Sequence, residues 1–259
     1  MNLNHIAFIA PLFAVFIFFL FERYVLTKPT AVKNRIKSIL SIEVINIIFN
    51  YVISLFILIP LVFLIAPLQV FSFANMNVPI AISFILSFLF LDFANYIFHV
   101  LSHKVPLLWR FHRLHHSDQH VDSLTTFLHH PLEVLSSFLF LIPVAVITDV
   151  PVVVLMTYSI VMSLHSPFTH LRRLIPDSID KYLQYIVVTP NFHRIHHSID
   201  MKEGNSNFGI VFIFWDLLFK TITRKKYSLQ NMQLGIDKTQ SPRYNSSREF
   251  LKNPFLGKE

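Results

Sequence analysis

Two pentapeptides, His112-Arg113-Leu114-His115-His116 and His193-Arg194-Ile195-His196-His197, share the pattern H-x-x-H-H. Residues three and four apart lie on one face of a helix, so each copy is expected to aim three imidazoles at one point. His99 and His103 add a further i, i+4 pair, making eight histidines in three groups. Of the 14 histidines in the chain, only His5 lies outside 99–197. Imidazole is a ligand for Zn, Cu, Fe and Ni. One ion cannot use eight nitrogens, whereas two ions at four or more each would use them all. A lone histidine is ordinarily a surface or satisfied core residue, but that does not account for two identical pentapeptides and a pair beside apolar segments.

The apolar segments set the solvent. The 259-residue chain is 53% hydrophobic and 14% charged, against roughly 25% charged in soluble domains. Its mean hydropathy is +0.53. Composition and the histidine groups together predict an all-α, multi-span membrane protein with a cytoplasmic histidine-rich helical cap holding a dimetal centre. With 0 cysteines, disulfides, iron–sulfur clusters and thiolate zinc sites are excluded together. The net charge of +7 fits cytoplasmic Lys/Arg flanks and anionic lipid. No basic run interleaves with aromatics, so no nucleic-acid partner is expected.

The spans read in order as follows. A first helix is expected over 5–22, retained because it has neither a positive n-region nor a small-x-small cleavage site. Lys28, Lys33, Arg35 and Lys37 then mark a cytoplasmic loop. A second span is expected over 44–66, kinked at Pro60, and an uncharged external turn over 67–78. The third span, 79–98, returns to the cytoplasmic side and delivers His99 and His103 at its inner end. Asp92 lies on the same helical face as His99, and an acid at that depth is expected to serve the site by accepting an N–H from a ligand histidine. Residues 104–133 are expected to form a helix at the membrane surface. Residues 134–165, broken by Pro143, Asp149 and Pro151, suit an apolar hairpin. This topology divides the chain into N-terminal membrane helices (1–78), a catalytic domain (79–222) holding the histidine boxes 99–116 and 193–197, and a polar basic tail (223–259) read as solvated surface. It puts all three histidine groups on one side at one depth.

A zinc hydrolase needs three protein ligands and an open position, not eight histidines. Soluble di-iron proteins use Glu and Glu-x-x-His, whereas no carboxylate interrupts these clusters. A nitrogen-rich pair of irons in a membrane suits dioxygen activation beside a lipid chain. At this point the motifs resemble the fatty acid hydroxylase superfamily, also called the sterol desaturase family, in its bacterial membrane form. The likeness runs from Asp92-Phe93-Ala94-Asn95-Tyr96 through His99 and His103, Leu108 to Asp118, His130-Pro131-Leu132-Glu133, and Thr189-Pro190-Asn191-Phe192 with the second pentapeptide. It closes with Asn207-Phe208-Gly209 and Trp215-Asp216.

The resemblance implies a non-haem di-iron oxygenase that uses O2 and external electrons to hydroxylate a lipid C–H bond, the lipid being a fatty acyl chain, a sterol or an aminolipid. The implied ligands are His99, His103, His112, His115, His116, His193, His196 and His197, with His170 as a ninth. His130 is implied as a ligand or as a partner of one, with Glu133 orienting it. No catalytic residue beyond the ligands is implied. The cofactor is two Fe ions, and the electron donor is an external protein of ferredoxin, cytochrome b5 or flavin reductase type. The location is the bacterial inner membrane, with the clusters facing the cytoplasm. Desaturation at the same site is the alternative outcome. A zinc-dependent lipid hydrolase or a non-catalytic metal-binding membrane protein is the alternative class. His120, His129 and His165 read as surface or lipid-interface residues. Val100, Leu128 and Arg172 depart from the family's usual residues, which puts substrate placement in doubt but removes no ligand.

Overall fold

The computed structural model describes residues 17, 20, 33–172, 175–224, 229, 232–236 and 247–255. The helix expected over 5–22 falls almost wholly outside the described residues.

Helix α1 (Lys33–Ile53) runs through a π-helical turn (Ser54–Leu58) into α2 (Ile59–Ile65) and a 3-10 turn (Ala66–Leu68). No Gly or Pro interrupts the sequence until Pro60. The proline ring would collide with the Phe56 carbonyl four residues back, and the wider π winding lies at that residue. Asn34–Leu68 is thus one rod of 35 residues, within which an 18-residue stretch reaches a mean hydropathy of 2.6. At 1.5 Å per residue it is about 52 Å long, well beyond a hydrocarbon core of about 30 Å. Its first turns therefore stand clear of the lipid. The helix thus begins before the expected span of 44–66, and Arg35 and Lys37 are helical, not part of a loop.

Helix α3 (Ile80–Lys104) starts after Pro79, ends at Val105-Pro106 and carries His99 and His103 in its last two turns. Pro106 then opens α4 (Pro106–His116), where its missing N–H costs nothing. Helices α5 (Pro131–Ile147) and α6 (Val152–Thr169) form a hairpin through a turn in which Asp149 adopts φ 47°. The N–H groups of Val70, Phe73 and Ala74 donate to the carbonyls of Ile147, Thr148 and Asp149 at 3.0, 3.1 and 3.3 Å. The two turns so joined close the end of the bundle remote from the histidines. The α1–α2 rod, α3 and α6 are each long and apolar enough to cross a membrane. Phe56, Phe63, Leu64 and Ile80 stand 73–88% exposed, as side chains solvated by lipid do. Leu91 of α3, Ala145 of α5 and Val154 and Tyr158 of α6 pack into a buried core that also takes Phe73 and Val211.

The opposite end carries the cap: α4, a 3-10 turn (Ser123–Phe127), α7 (Asp177–Leu183), α8 (Pro190–His196), α9 (Met201–Gly204), α10 (Phe214–Leu218) and α11 (Ser247–Lys252). No strand forms among the described residues; the isolated bridges Val187–Phe212 and Ser198–Leu234 stitch loops together. The tail is more than a solvated segment. Phe250 is fully buried with Ile39, Ile42, Leu114, Leu124 and Leu128, and the Gly235 N–H donates to the His197 carbonyl at 3.1 Å. Its apolar residues supply part of the core, which its basic composition conceals.

One ion cluster ties the rod to the cap. The Arg35 guanidinium donates to both oxygens of Asp118 (2.5 to 3.2 Å) and to both of Asp122 (2.8 and 2.9 Å). Arg35 is 1% exposed and Asp118 0%. Removing one partner of such a buried set leaves charge uncompensated. Arg35→Met is therefore expected to cost about 3–5 kcal/mol of stability, read as a lowered unfolding midpoint in detergent.

Candidate metal centre

The helix that carries the second pentapeptide is held at its start. Pro190 occupies the first turn of α8, and the Thr189 hydroxyl caps it by accepting from the Phe192 N–H at 3.3 Å. His170 sits at the C-terminal cap of α6. The result is two groups of imidazoles. His99, His103, His112, His116 and His196 form one, and His115, His170, His193 and His197 the other. Within each group all candidate ligand nitrogens lie within 4.8 Å of one another, and every member is buried. The groups adjoin: His116 and His197 have ring centroids 4.6 Å apart.

The pentapeptides do not each aim at one point. His112 and His116, at i, i+4, point into the first group, while His115 points into the second. His193 and His197 point into the second group, while His196 points into the first. Each residue turns about 100° around a helix, so the fourth residue of H-x-x-H-H is swung off the face shared by the first and fifth. Each copy therefore serves both groups.

The ring nitrogens are oriented by their far sides. Nδ1–H of His99 donates to the Phe208 carbonyl (2.8 Å), that of His112 to Glu133 Oε1 (2.6 Å), and that of His196 to the Ser206 carbonyl (2.7 Å). His103 Nδ1 lies 3.3 Å from Asn205 Oδ1. A proton on Nδ1 leaves the lone pair on Nε2. The Nε2 atoms of His103, His112, His116 and His196 are buried with no hydrogen-bond partner. In the second group His170 Nδ1–H donates to the Ser166 carbonyl. His170 Nε2 then faces the Nε2 atoms of His115, His193 and His197 at 3.1, 3.1 and 3.2 Å, and the last two are 3.2 Å apart. Adjacent nitrogens about 2.1 Å from one central ion stand about 3.0–3.4 Å apart. The donor set and its spacing fit a first-row transition ion in each group. Burial, followed by repulsion from neighbouring imidazoles, holds the proton affinities of His115, His116, His193 and His197 well below the usual range; neutral imidazole is the ligating form.

The closing motif builds the backbone that holds His99 and His196. Asn207, at φ 58°, donates to the Phe192 and Thr223 carbonyls at 3.0 Å each. Asp216 accepts from the N–H groups of Phe208 (2.9 Å) and Gly209 (2.6 Å). A Cβ at Gly209 would stand 2.8 Å from that carboxylate and from the Phe212 carbonyl, so the loop closes only over glycine.

Three assignments change. Asp92 accepts from no histidine. It takes the Tyr158 hydroxyl (3.0 Å), the Val211 and Phe212 N–H groups (3.1 and 3.3 Å) and the Trp215 indole N–H (2.8 Å). At two turns from His99 it is too far to reach the site and instead satisfies non-helical backbone packed against a membrane helix. His130 joins neither group. Its Nδ1 caps α5 by accepting from the Leu132 N–H at 3.1 Å, and its ring stacks on Phe111. Glu133 orients His112 and not His130, and it also accepts from His129 Nδ1 at 3.0 Å. His129, read from sequence as an interface residue, stacks on His115 with centroids 4.4 Å apart and planes at 9°. Its i, i+4 spacing to Glu133 was the available signal. His120 is exposed. His165 borders a cavity of about 250 Å³ between α3, α5 and α6, whose floor includes His99, His112, His115, His170 and His193.

The sequence model for the fatty acid hydroxylase family matches residues 84–221. The ornithine lipid hydroxylase OlsE of Rhizobium tropici is 33% identical over 144 residues, covering 55% of this chain and 42% of that protein. The alkylglycerol monooxygenase of Homo sapiens is 30% identical over 136 residues, covering 52% and 29%. The very-long-chain aldehyde decarbonylase GL1-5 of Oryza sativa subsp. indica is 25% identical over 151 residues, covering 55% and 24%. The chain thus spans less than half the length of each of these relatives. No solved structure matches.

The carboxylate that orients His112 sets a measurable expectation. Glu133→Ala should weaken ion binding at the first group about 10- to 100-fold while the second group binds as before, read by cobalt(II) titration followed in the visible spectrum.

Proposed function

The chain belongs to the fatty acid hydroxylase family, and on that premise we propose that it is a membrane-bound di-iron oxygenase that hydroxylates a C–H bond of a lipid. The observation that carries this reading is the pair of adjoining all-imidazole groups, five and four strong, at the floor of a cavity between three apolar helices. A single-zinc hydrolase would need three protein ligands and an open position, not nine imidazoles. Two neighbouring nitrogen-only groups suit sharing of electrons between two ions.

In this reading His99, His103, His112, His116 and His196 hold one iron, and His115, His170, His193 and His197 hold the other. Residues 79–222 form the catalytic unit. When bound, the iron pair supplies the activation of O2 and the oxidant for an unactivated C–H bond. The chain's own residues do the rest. The Phe208, Ser206 and Ser166 carbonyls and Glu133 keep the imidazoles in the ligating tautomer. Glu133 also offsets part of the added positive charge. Phe98, Val134, Met162 and Ile210 line the cavity and keep water from the reacting carbon. One oxygen atom enters the C–H bond as hydroxyl. The other leaves as water with two protons and two electrons.

Those electrons come from an external protein of ferredoxin, cytochrome b5 or flavin reductase type. In the same reading the membrane is the bacterial inner membrane and the cap faces the cytoplasm, a side that the basic flanks of the spans support. The relatives named for lipid hydroxylation and monooxygenation support hydroxylation over other outcomes at such a site.

Two measurements test this. Protein purified in detergent is expected to hold about two irons per chain, falling to about one in His116→Ala and, separately, in His197→Ala. Incubation with membrane lipid, reductant and 18O2 is expected to yield one labelled hydroxyl per product. Label absent from every lipid while both irons are present would overturn the oxygenase assignment.

A further inference from the structure

Part of the cap lies beside a membrane helix and shows an apolar face away from it. Helix α3 is 25 residues long, and a hydrocarbon core takes about 20. The stretch from Phe88 to Tyr96 therefore lies inside the core wherever along α3 the core begins. The segment after Gly209 follows that stretch. Ring centroids of Phe212 and Phe88 are 6.3 Å apart, those of Trp215 and Phe93 4.8 Å, and those of Phe219 and Tyr96 5.6 Å. Helix α10 is thus held at hydrocarbon depth. Backbone bonds bring the end of α7 alongside: Val188 N–H donates to the Val211 carbonyl (2.9 Å) and Ile213 N–H to the Ile186 carbonyl (3.2 Å). On the outer side Tyr182, Tyr185, Ile186 and Leu218 stand 61–72% exposed. From Tyr182 to Val188 and from Ile210 to Phe219 the one charged residue is Asp216, which is fully buried beneath the loop. A contiguous apolar face of this kind marks a contact with protein or with membrane.

We propose that residues 179–188 and 210–220 form a re-entrant wedge covered by the acyl chains of the leaflet next to the histidine groups, with Lys181 and Lys220 reaching its anionic phosphates. Three observations favour lipid over protein as the cover. The face is continuous with α3, a helix apolar enough to cross the membrane. Its edge is cationic: Lys181 and Lys220 are exposed, and Lys181 Nζ lies 4.7 Å from the centroid of the Tyr182 ring. Tyrosine beside a long cation is the pairing that settles at headgroup level, the stem in apolar surroundings and the charge in the phosphates. The backbone also suits a dry setting, where free donors are costly. Every N–H from Gln184 to Val188 donates to a carbonyl at 2.9 to 3.2 Å. The Val211 and Phe212 N–H groups go to Asp92, and that of Ile213 to Ile186. The cap is then seated in the leaflet, and the Phe208 carbonyl that orients His99 stands at the root of the wedge.

With 0 cysteines in the chain, one introduced thiol places one reporter. Tyr185→Cys and Leu218→Cys, each in the full chain and each carrying the fluorophore NBD, are set in nanodiscs of phosphatidylcholine and phosphatidylglycerol, which leave both faces open to solvent. Lys202→Cys, on the exposed charged surface of α9, is the reference. At the two wedge positions doxyl-labelled phosphatidylcholine is expected to quench about three-fold more than at the reference, and iodide about three-fold less, because an ion is costly to place in hydrocarbon. An unfolding midpoint shared with the unlabelled chain reports that each labelled protein is folded, and Ile186→Cys takes the place of a variant that is not. Iodide quenching equal to that at the reference overturns the proposal and puts the face in water. Protection from both quenchers also overturns it and assigns the face to protein, such as a second copy of the chain. The readout depends on neither bound metal nor turnover, so it stands or falls apart from the oxygenase reading.

Discussion

Lone pairs turned toward one another repel, and this chain buries two knots of them. His170 Nε2 faces three other ring nitrogens at 3.1 to 3.2 Å, a contact that packing alone does not stabilise and that a shared cation does. Much of the cap works to hold these rings inward against that repulsion. The Phe208 and Ser206 carbonyls pull His99 and His196 from behind, the Glu133 carboxylate pulls His112, and Asp216 fixes the loop that offers the two carbonyls. Arg35 does the same at longer range by fastening the loop after α4 to the first turns of the membrane rod. Hydrophobic burial dominates between the helices, but the geometry of the site is set by polar contacts behind the rings.

The membrane imposes a second accounting. Backbone that is not helical must find partners wherever water is scarce. The segment that follows Gly209 runs beside α3, with Trp215 against Phe93 at 4.8 Å between ring centroids. Asp92 answers for its free donors. An acid inside an apolar helix thus has a structural duty, and the presence of a costly residue is not by itself a sign of chemistry.

The order of the apolar helices from 44 to 165 could be read from the chain because apolar length acts locally, whereas the short helices of the cap could not. The long apolar runs were sufficient for these, while the prolines that open α4, α5 and α8 (Pro106, Pro131, Pro190) mark starts that apolar length alone does not. The histidines carried the site's composition but not its partition. Which rings share an ion depends on rotation about α4 and α8 and on how those two short helices face each other, a tertiary relation no spacing encodes. Asp92, His129 and His130 were misread for the same reason: a residue's nearest titratable neighbour in sequence need not be its partner across the bundle. The buried Phe250 was hidden by the polar residues around it.

The division of each pentapeptide between both groups has a consequence for biogenesis. The first group draws four rings from 99–116 and its fifth from α8. The second draws one ring from α4 and three from 170–197. Neither set closes until the ribosome has passed His197, and the carbonyls and carboxylate that steady the first set arrive later still, at 206–216. An ion meeting the nascent chain finds at most a loose, partial set of imidazoles. Assembly of either group is thereby deferred to the end of synthesis, and a chain stalled before α8 holds no complete set of imidazoles.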